Sequence, residues 1–342
     1  MAEEQAYSGK NGLNLKSAQS AFESWIETKN PLKKPITLLV LFVFYYFAAK
    51  GGLKFAFANA SATAIWPPTG IALASMLIFG YWVWPSIFVG AFFVNLMTAG
   101  TVTTSLGIAF GNTLEGIVGA YLINRFACGK NAFDFTGNIF KFALFGAIIS
   151  TMVSATIGVT TLYFGSYVSS ADYGTVWLTW WIGDSVGNLI IAPLIILWAT
   201  NPFINLKRYQ IFEALLLLVS SVLIGLIVFG GIYTQYPLEF LYVPLVLWAA
   251  FRFRRRETIT IVFVLSMIAI SGTLNGFGHF ASSSRNESLL MLQMFMGIIS
   301  ITALSVAALM AERKVIHQEM LKSHMECERL LKKQKIHFKR KK

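Results

Sequence analysis

The sequence predicts an all-α protein, a polytopic bundle of about ten transmembrane helices with a C-terminal cytoplasmic coiled-coil-like helix. Three observations predict it. The 342 residues are 56% hydrophobic and 13% charged, a balance that excludes a soluble domain of this size. Apolar residues gather into segments near 36–49, 66–80, 83–98, 103–125, 139–165, 177–199, 209–231, 238–251, 257–276 and 289–311. Of 28 lysines and arginines, 25 fall in alternate gaps and in the two tails, and only Lys50, Lys54 and Arg285 lie elsewhere. Basic residues resist transfer across a bilayer, so this alternation places both termini in the cytoplasm.

The net charge of +12 sits in juxtamembrane loops and one tail. That placement reads as attraction to anionic membrane lipid and excludes nucleic acid as a partner. Cys128 and Cys327 map to the cytoplasmic side as free thiols. The first 30 residues are polar, so the first span serves as its own insertion signal. Several segments fall short of the ~20 residues that cross a bilayer upright. The first and eighth either extend into flanking residues or sit low in the membrane.

In chain order, residues 1–34 form a cytoplasmic tail. Leu15, Ala18, Phe22, Trp25 and Ile26 recur there at helical spacing, as in a helix lying at the membrane face or packed on the cytoplasmic loops. Residues 35–311 form the integral membrane domain. The second span opens with Trp66-Pro67-Pro68-Thr69-Gly70, where adjacent prolines remove two backbone donors and stop any upstream helix. The third span carries Asn95 near its outer end, the fourth carries Asn112 and Glu115, and the sixth carries Trp180, Trp181, Asp184 and Asn188. From Ala303 on, the tenth span runs without Pro or Gly into a basic helix over 312–342. There Ile316, Met320, Ser323, Cys327, Leu330 and Gln334 follow spacings of four and three, as in the seam of a parallel homodimeric coiled coil. A single solvated helix is the other reading.

Of the sixteen acids, only Glu115 and Asp184 lie well inside spans. A carboxylate in hydrocarbon costs several kcal/mol unless paired, protonated or wetted, so both face the protein interior. Unpaired backbone at membrane depth is tolerated where it is buried or lines a polar cavity. The Trp66–Gly70 turn, the three asparagines and the two acids therefore point to a ligand pocket open to the outside. The competing reading is a structural network that ties helices together.

Catalysis lacks a signature. His279, His317, His324 and His337 lie in a loop or the tail, and neither HExxH nor a Walker loop occurs. No metal or cofactor is expected.

The same motifs resemble the first family of bacterial membrane-associated sensor domains, MASE. They are Ile65-Trp66-Pro67-Pro68-Thr69-Gly70-Ile71-Ala72-Leu73, Gly111-Asn112-Thr113-Leu114-Glu115, Trp180-Trp181-Ile182-Gly183-Asp184-Ser185-Val186-Gly187 and Ala192-Pro193. Trp84-Pro85 and the run Gly90–Asn95 also resemble it, and the similarity covers about 36–310. The resemblance implies a sensory module of the bacterial inner membrane that drives a histidine kinase or a cyclic-di-GMP enzyme. It implies no particular ligand. The chain stops at Lys342, where an output module would begin, so a sensory fragment or a stand-alone member acting through another protein is expected. The alternative from the residues alone is a secondary transporter using Glu115 and Asp184 for ion or proton coupling.

Overall fold

A computed structural model describes residues 32–54, 56–59, 62–98, 100–202, 206–230, 237–281 and 284–340. The amphipathic stretch expected at residues 15–26 lies outside them. The described residues form ten helices, one for each apolar segment. They are α1 (Lys33–Lys54), α2 (Pro67–Phe79), α3 (Trp84–Leu96), α4 (Val102–Phe126) and α5 (Thr136–Phe164). The second half holds α6 (Tyr173–Thr200), α7 (Arg208–Phe229), α8 (Tyr242–Arg252), α9 (Arg255–Leu274) and α10 (Arg285–Arg340). A small antiparallel ribbon, Ala56–Asn59 with Ala62–Thr63, lies between α1 and α2.

Seven of these helices are long and apolar enough to cross a membrane, against the expectation of about ten spans. The short ones are α2 and α3, with 13 residues each, and α8 with 11. Thirteen residues rise ~20 Å against a hydrocarbon core of ~30 Å. Local chemistry shortens each. The prolines at 67 and 68 set where α2 begins. Gly80, at φ 95°, and a 3-10 turn over Tyr81–Val83 separate α2 from α3. A second 3-10 turn, Leu238–Leu241, precedes α8.

Burial ranks the helices. In α6, 72% of the apolar stretch is buried, against 22% in α1 and in α7. So α6 is the central post, and α1 and α7 are peripheral, with Leu39, Phe47, Phe212 and Leu223 facing outward as lipid-facing side chains do. Against α6 pack α2, α5, α9 and α10. Contact with α2 is made through glycines. A Cβ at Gly70 would meet Ile191 and the Gly187 carbonyl, and one at Gly187 would overlap the Trp66 carbonyl. Small residues four apart, Gly183 and Gly187, let backbone lie on backbone where hydrocarbon supplies no other drive for association.

Two helices depart from the ordinary α-helical ladder. Over Ala143–Ile149, α5 is wound as a π-helix, a wide turn that displaces carbonyls from the ordinary ladder. In α6, Pro193 has no N–H to give the Leu189 carbonyl four residues earlier. The Ser300 hydroxyl of α10 donates to that carbonyl instead, at 2.6 Å.

The helix α10 runs for 56 residues. Its first half packs on α6, α8 and α9, and residues 313–331 are exposed. Where it leaves the bundle, the Glu312 carboxylate accepts from the Thr136 N–H at the start of α5. Arg255 pairs with Asp134 at 2.8 Å, and Arg252 pairs with Glu213 at 2.6 Å. This end of the bundle is rich in cations, and the opposite end is poor in them.

Candidate functional site

The site begins where the chain leaves the small ribbon at Thr63 and has not yet entered α2. Thr63, Ala64 and Ile65 are buried beside α6. Backbone there must find partners inside the protein. The Trp66 N–H donates to the Gly183 carbonyl at 3.2 Å. The Gln293 side-chain amide of α10 donates to the Thr63 carbonyl at 3.0 Å and to the Thr179 carbonyl at 3.4 Å. Pro67 and Pro68 occupy the first helical positions of α2. A helix start normally leaves four unpaired N–H groups, and two prolines halve that number at a depth without water. Thr69 then donates its hydroxyl to Asp184 Oδ1 at 3.0 Å.

Behind this entrance the polar side chains form one connected layer. Asn112 donates to the Tyr45 hydroxyl at 3.3 Å and accepts from Ser154 at 2.8 Å. The Trp180 indole donates to Ser154 at 3.3 Å. Asn188 reaches Glu115 Oε1 at 3.4 Å and the Gly146 carbonyl at 2.6 Å. Trp181 donates to the Ile148 carbonyl at 2.9 Å, and Ser185 to the Ala147 carbonyl at 2.6 Å. Three carbonyls of the π-helical turn thus each accept from a side chain of α6. Glu115 of α4 and Asp184 of α6 are 2% and 1% exposed and their side chains neighbour one another. Neither Glu115 Oε2 nor Asp184 Oδ2 has a hydrogen-bond donor among the described residues.

A cavity of about 180 Å³ opens above Asp184 toward the cation-poor end. Trp66, Asn95, Asn112, Trp180 and Asp184 line it, with Thr63 and Thr179 at the wall held by Gln293. Of the residues singled out in the sequence, these five border the cavity. Asn95 also donates to the Ala91 carbonyl of its own helix, at 2.8 Å. Thr69, Glu115 and Asn188 lie behind the wall as its support. Pro67 and Pro68 shape the turn, and Trp181 is directed to α5, away from the cavity. Gln293, Tyr45, Ser154 and the π-helical turn were missed. A glutamine, a tyrosine and a serine are unremarkable singly in membrane helices, and only Gln293, an uncharged amide inside the last span, gave a usable signal. No three His, Cys, Asp or Glu residues lie together as a metal would need, among the described residues.

The fold and this chamber define a multi-pass helical membrane protein with a solute-sized cavity at one end, lined by apolar side chains and a few polar ones. The chain matches the MASE1 family over residues 37–314 and belongs to it; MASE1 is a membrane-associated sensory domain. No curated protein and no solved structure matches the chain.

Proposed function

We infer that this chain is the sensory module of a bacterial inner-membrane signalling system. It takes a small solute into the cavity from the extracytoplasmic side and passes the change through α10 to a cytoplasmic output of the histidine-kinase or cyclic-di-GMP type. One observation carries the reading. Gln293 holds two carbonyls of the cavity wall, and it stands on the helix that runs out of the bundle to Arg340. A solute that favours one arrangement of Thr63 and Thr179 biases the position of α10 by its differential affinity for the two arrangements, and by no more than that. Two further contacts support the route. Ser300 ties α10 to α6 below the site, and Glu312 ties it to the start of α5, whose π-helical turn holds Asn188, Ser185 and Trp181. The transporter reading draws on the same acids and the same broken backbone. Uptake of solute into sealed vesicles would favour it.

The test is a reporter kinase fused after Lys342, read with and without candidate solutes. Asp184→Asn and Glu115→Gln keep size but remove charge, and Trp66→Ala loosens the turn. Loss of response at normal protein level in Asp184→Asn is the expected result. A normal response in all three variants would remove the cavity from the mechanism and leave the state of the membrane as the stimulus.

A further inference from the structure

We propose that the cavity is a site for a small organic cation, an ammonium group on a short carbon chain, with Asp184 as its counter-charge. This rests on the reading of the cavity as a ligand site and adds the chemistry of the ligand. The argument is one of charge and shape. Asp184 is 1% exposed and lines the cavity, yet Thr69 satisfies only its Oδ1, and Oδ2 has no donor. Glu115 stands directly behind, within hydrogen-bonding reach of the Asp184 carboxyl, and its second oxygen lacks an N–H donor. Mutual repulsion of two acids in a site of low dielectric is relieved by a proton or a cation. No lysine, arginine or histidine lines the cavity among the described residues. Lys50, at the same end, is turned to the Met97 carbonyl at 3.3 Å and to the Tyr46 ring. An anionic solute would therefore meet acids with no compensating charge.

The walls select among cations. An inorganic ion wants several oxygen ligands at close range, and the cavity of about 180 Å³ holds the equivalent of about six waters. Trp66, Trp180 and Tyr167 line that space, and aromatic side chains attract organic cations. Leu53, Val94 and Ile108 add an apolar lining suited to a short alkyl chain.

The test uses the purified full chain in lipid nanodiscs, with empty nanodiscs subtracted. Calorimetric titrations compare n-butylammonium with its near-isosteres 1-butanol and butyrate. Saturable binding of the ammonium, at least tenfold tighter than either isostere, is expected. The comparison is made on the unaltered chain, so it stands whether or not a variant folds. Asp184→Asn, checked for an unchanged elution profile and thermal midpoint, is expected to weaken ammonium binding at least tenfold. Equal binding of the alcohol, preference for butyrate, no binding of the ammonium, or full binding by folded Asp184→Asn would each overturn the proposal. Sensing fails separately: an ammonium that binds but leaves the reporter kinase unmoved keeps the cation site and removes its signalling role.

Discussion

Ser300 and Pro193 show how one residue's deficit is met by another helix. The proline leaves the Leu189 carbonyl without its helical donor, and the Ser300 hydroxyl supplies one from α10 at 2.6 Å. Ser300→Ala is therefore expected to lower stability by ~1–2 kcal/mol, the cost of a buried acceptor left unsatisfied. Pro193→Ala restores the donor within α6 and should make the same serine substitution nearly silent. A double-mutant cycle on unfolding in detergent measures the coupling, and strictly additive effects would refute the pairing. Gly187 is constrained more simply. Its missing Cβ is the space in which the Trp66 carbonyl sits. Gly187→Ala should cost ~1–3 kcal/mol by overpacking and should disturb the cavity wall as well. An unchanged thermal midpoint would mean that α2 and the Thr63–Trp66 segment do not lie this close to α6.

Among the elements, α5 and α10 do more than fill the bundle. The π-helical turn of α5 offers three carbonyls to α6, and the first residue of the same helix is capped by Glu312 of α10. The cavity wall is attached to α10 directly through Gln293. Gln293→Leu keeps the side-chain bulk but removes both donated bonds. It is expected to leave solute binding within a few-fold of normal while cutting the reporter response severely. If binding and response fall in parallel, Gln293 is a wall residue only, and the signal leaves by another contact. Glu312→Gln keeps an acceptor for the Thr136 N–H and should preserve the response, whereas Glu312→Ala should weaken it.

For the whole molecule, orientation and assembly are open to direct measurement. If cations mark the cytoplasmic side, Lys50, Asp172, Glu239 and His279 face outside and Lys130, Lys207 and Arg254 face inside. Single cysteines at these sites, leaving out the buried Glu239, in a chain freed of Cys128 and Cys327, should divide the same way toward an impermeant thiol reagent on intact cells. Labelling at Lys130 or Arg254 would invalidate the orientation. Beyond the bundle, Ile316, Met320 and Leu330 of the seam are exposed in the single chain, as is Cys327. If two α10 helices pair there, mild oxidation should join Cys327 to its counterpart, while Met325→Cys in a Cys327→Ser chain, off the seam, should join poorly. Equal yields would indicate chance collision.

Much of this protein was legible without coordinates, for particular reasons. Ten apolar segments became ten helices, because in hydrocarbon every backbone group must be paired within its own segment. Asp184 and Glu115 were marked as interior residues by the cost of leaving a carboxyl in lipid, and both are buried. Sequence by itself also located the break at Trp66-Pro67-Pro68, since two prolines forbid a helix from passing through them. Helix length was less legible. Apolar composition does not say where a helix begins inside an apolar run, so α2, α3 and α8 read as spans although they are short. Only the tertiary structure decided which polar groups meet. Gln293 is 230 residues from Thr63, and Ser300 is 111 from Leu189. Only there did the π-helical turn of α5 appear, its carbonyls held by an indole, a hydroxyl and an amide of α6. Local sequence determines whether a segment can live in a bilayer, because that question is settled residue by residue against the solvent. Partners for displaced carbonyls and buried acids come from distant helices, and their identity depends on packing that no single segment encodes.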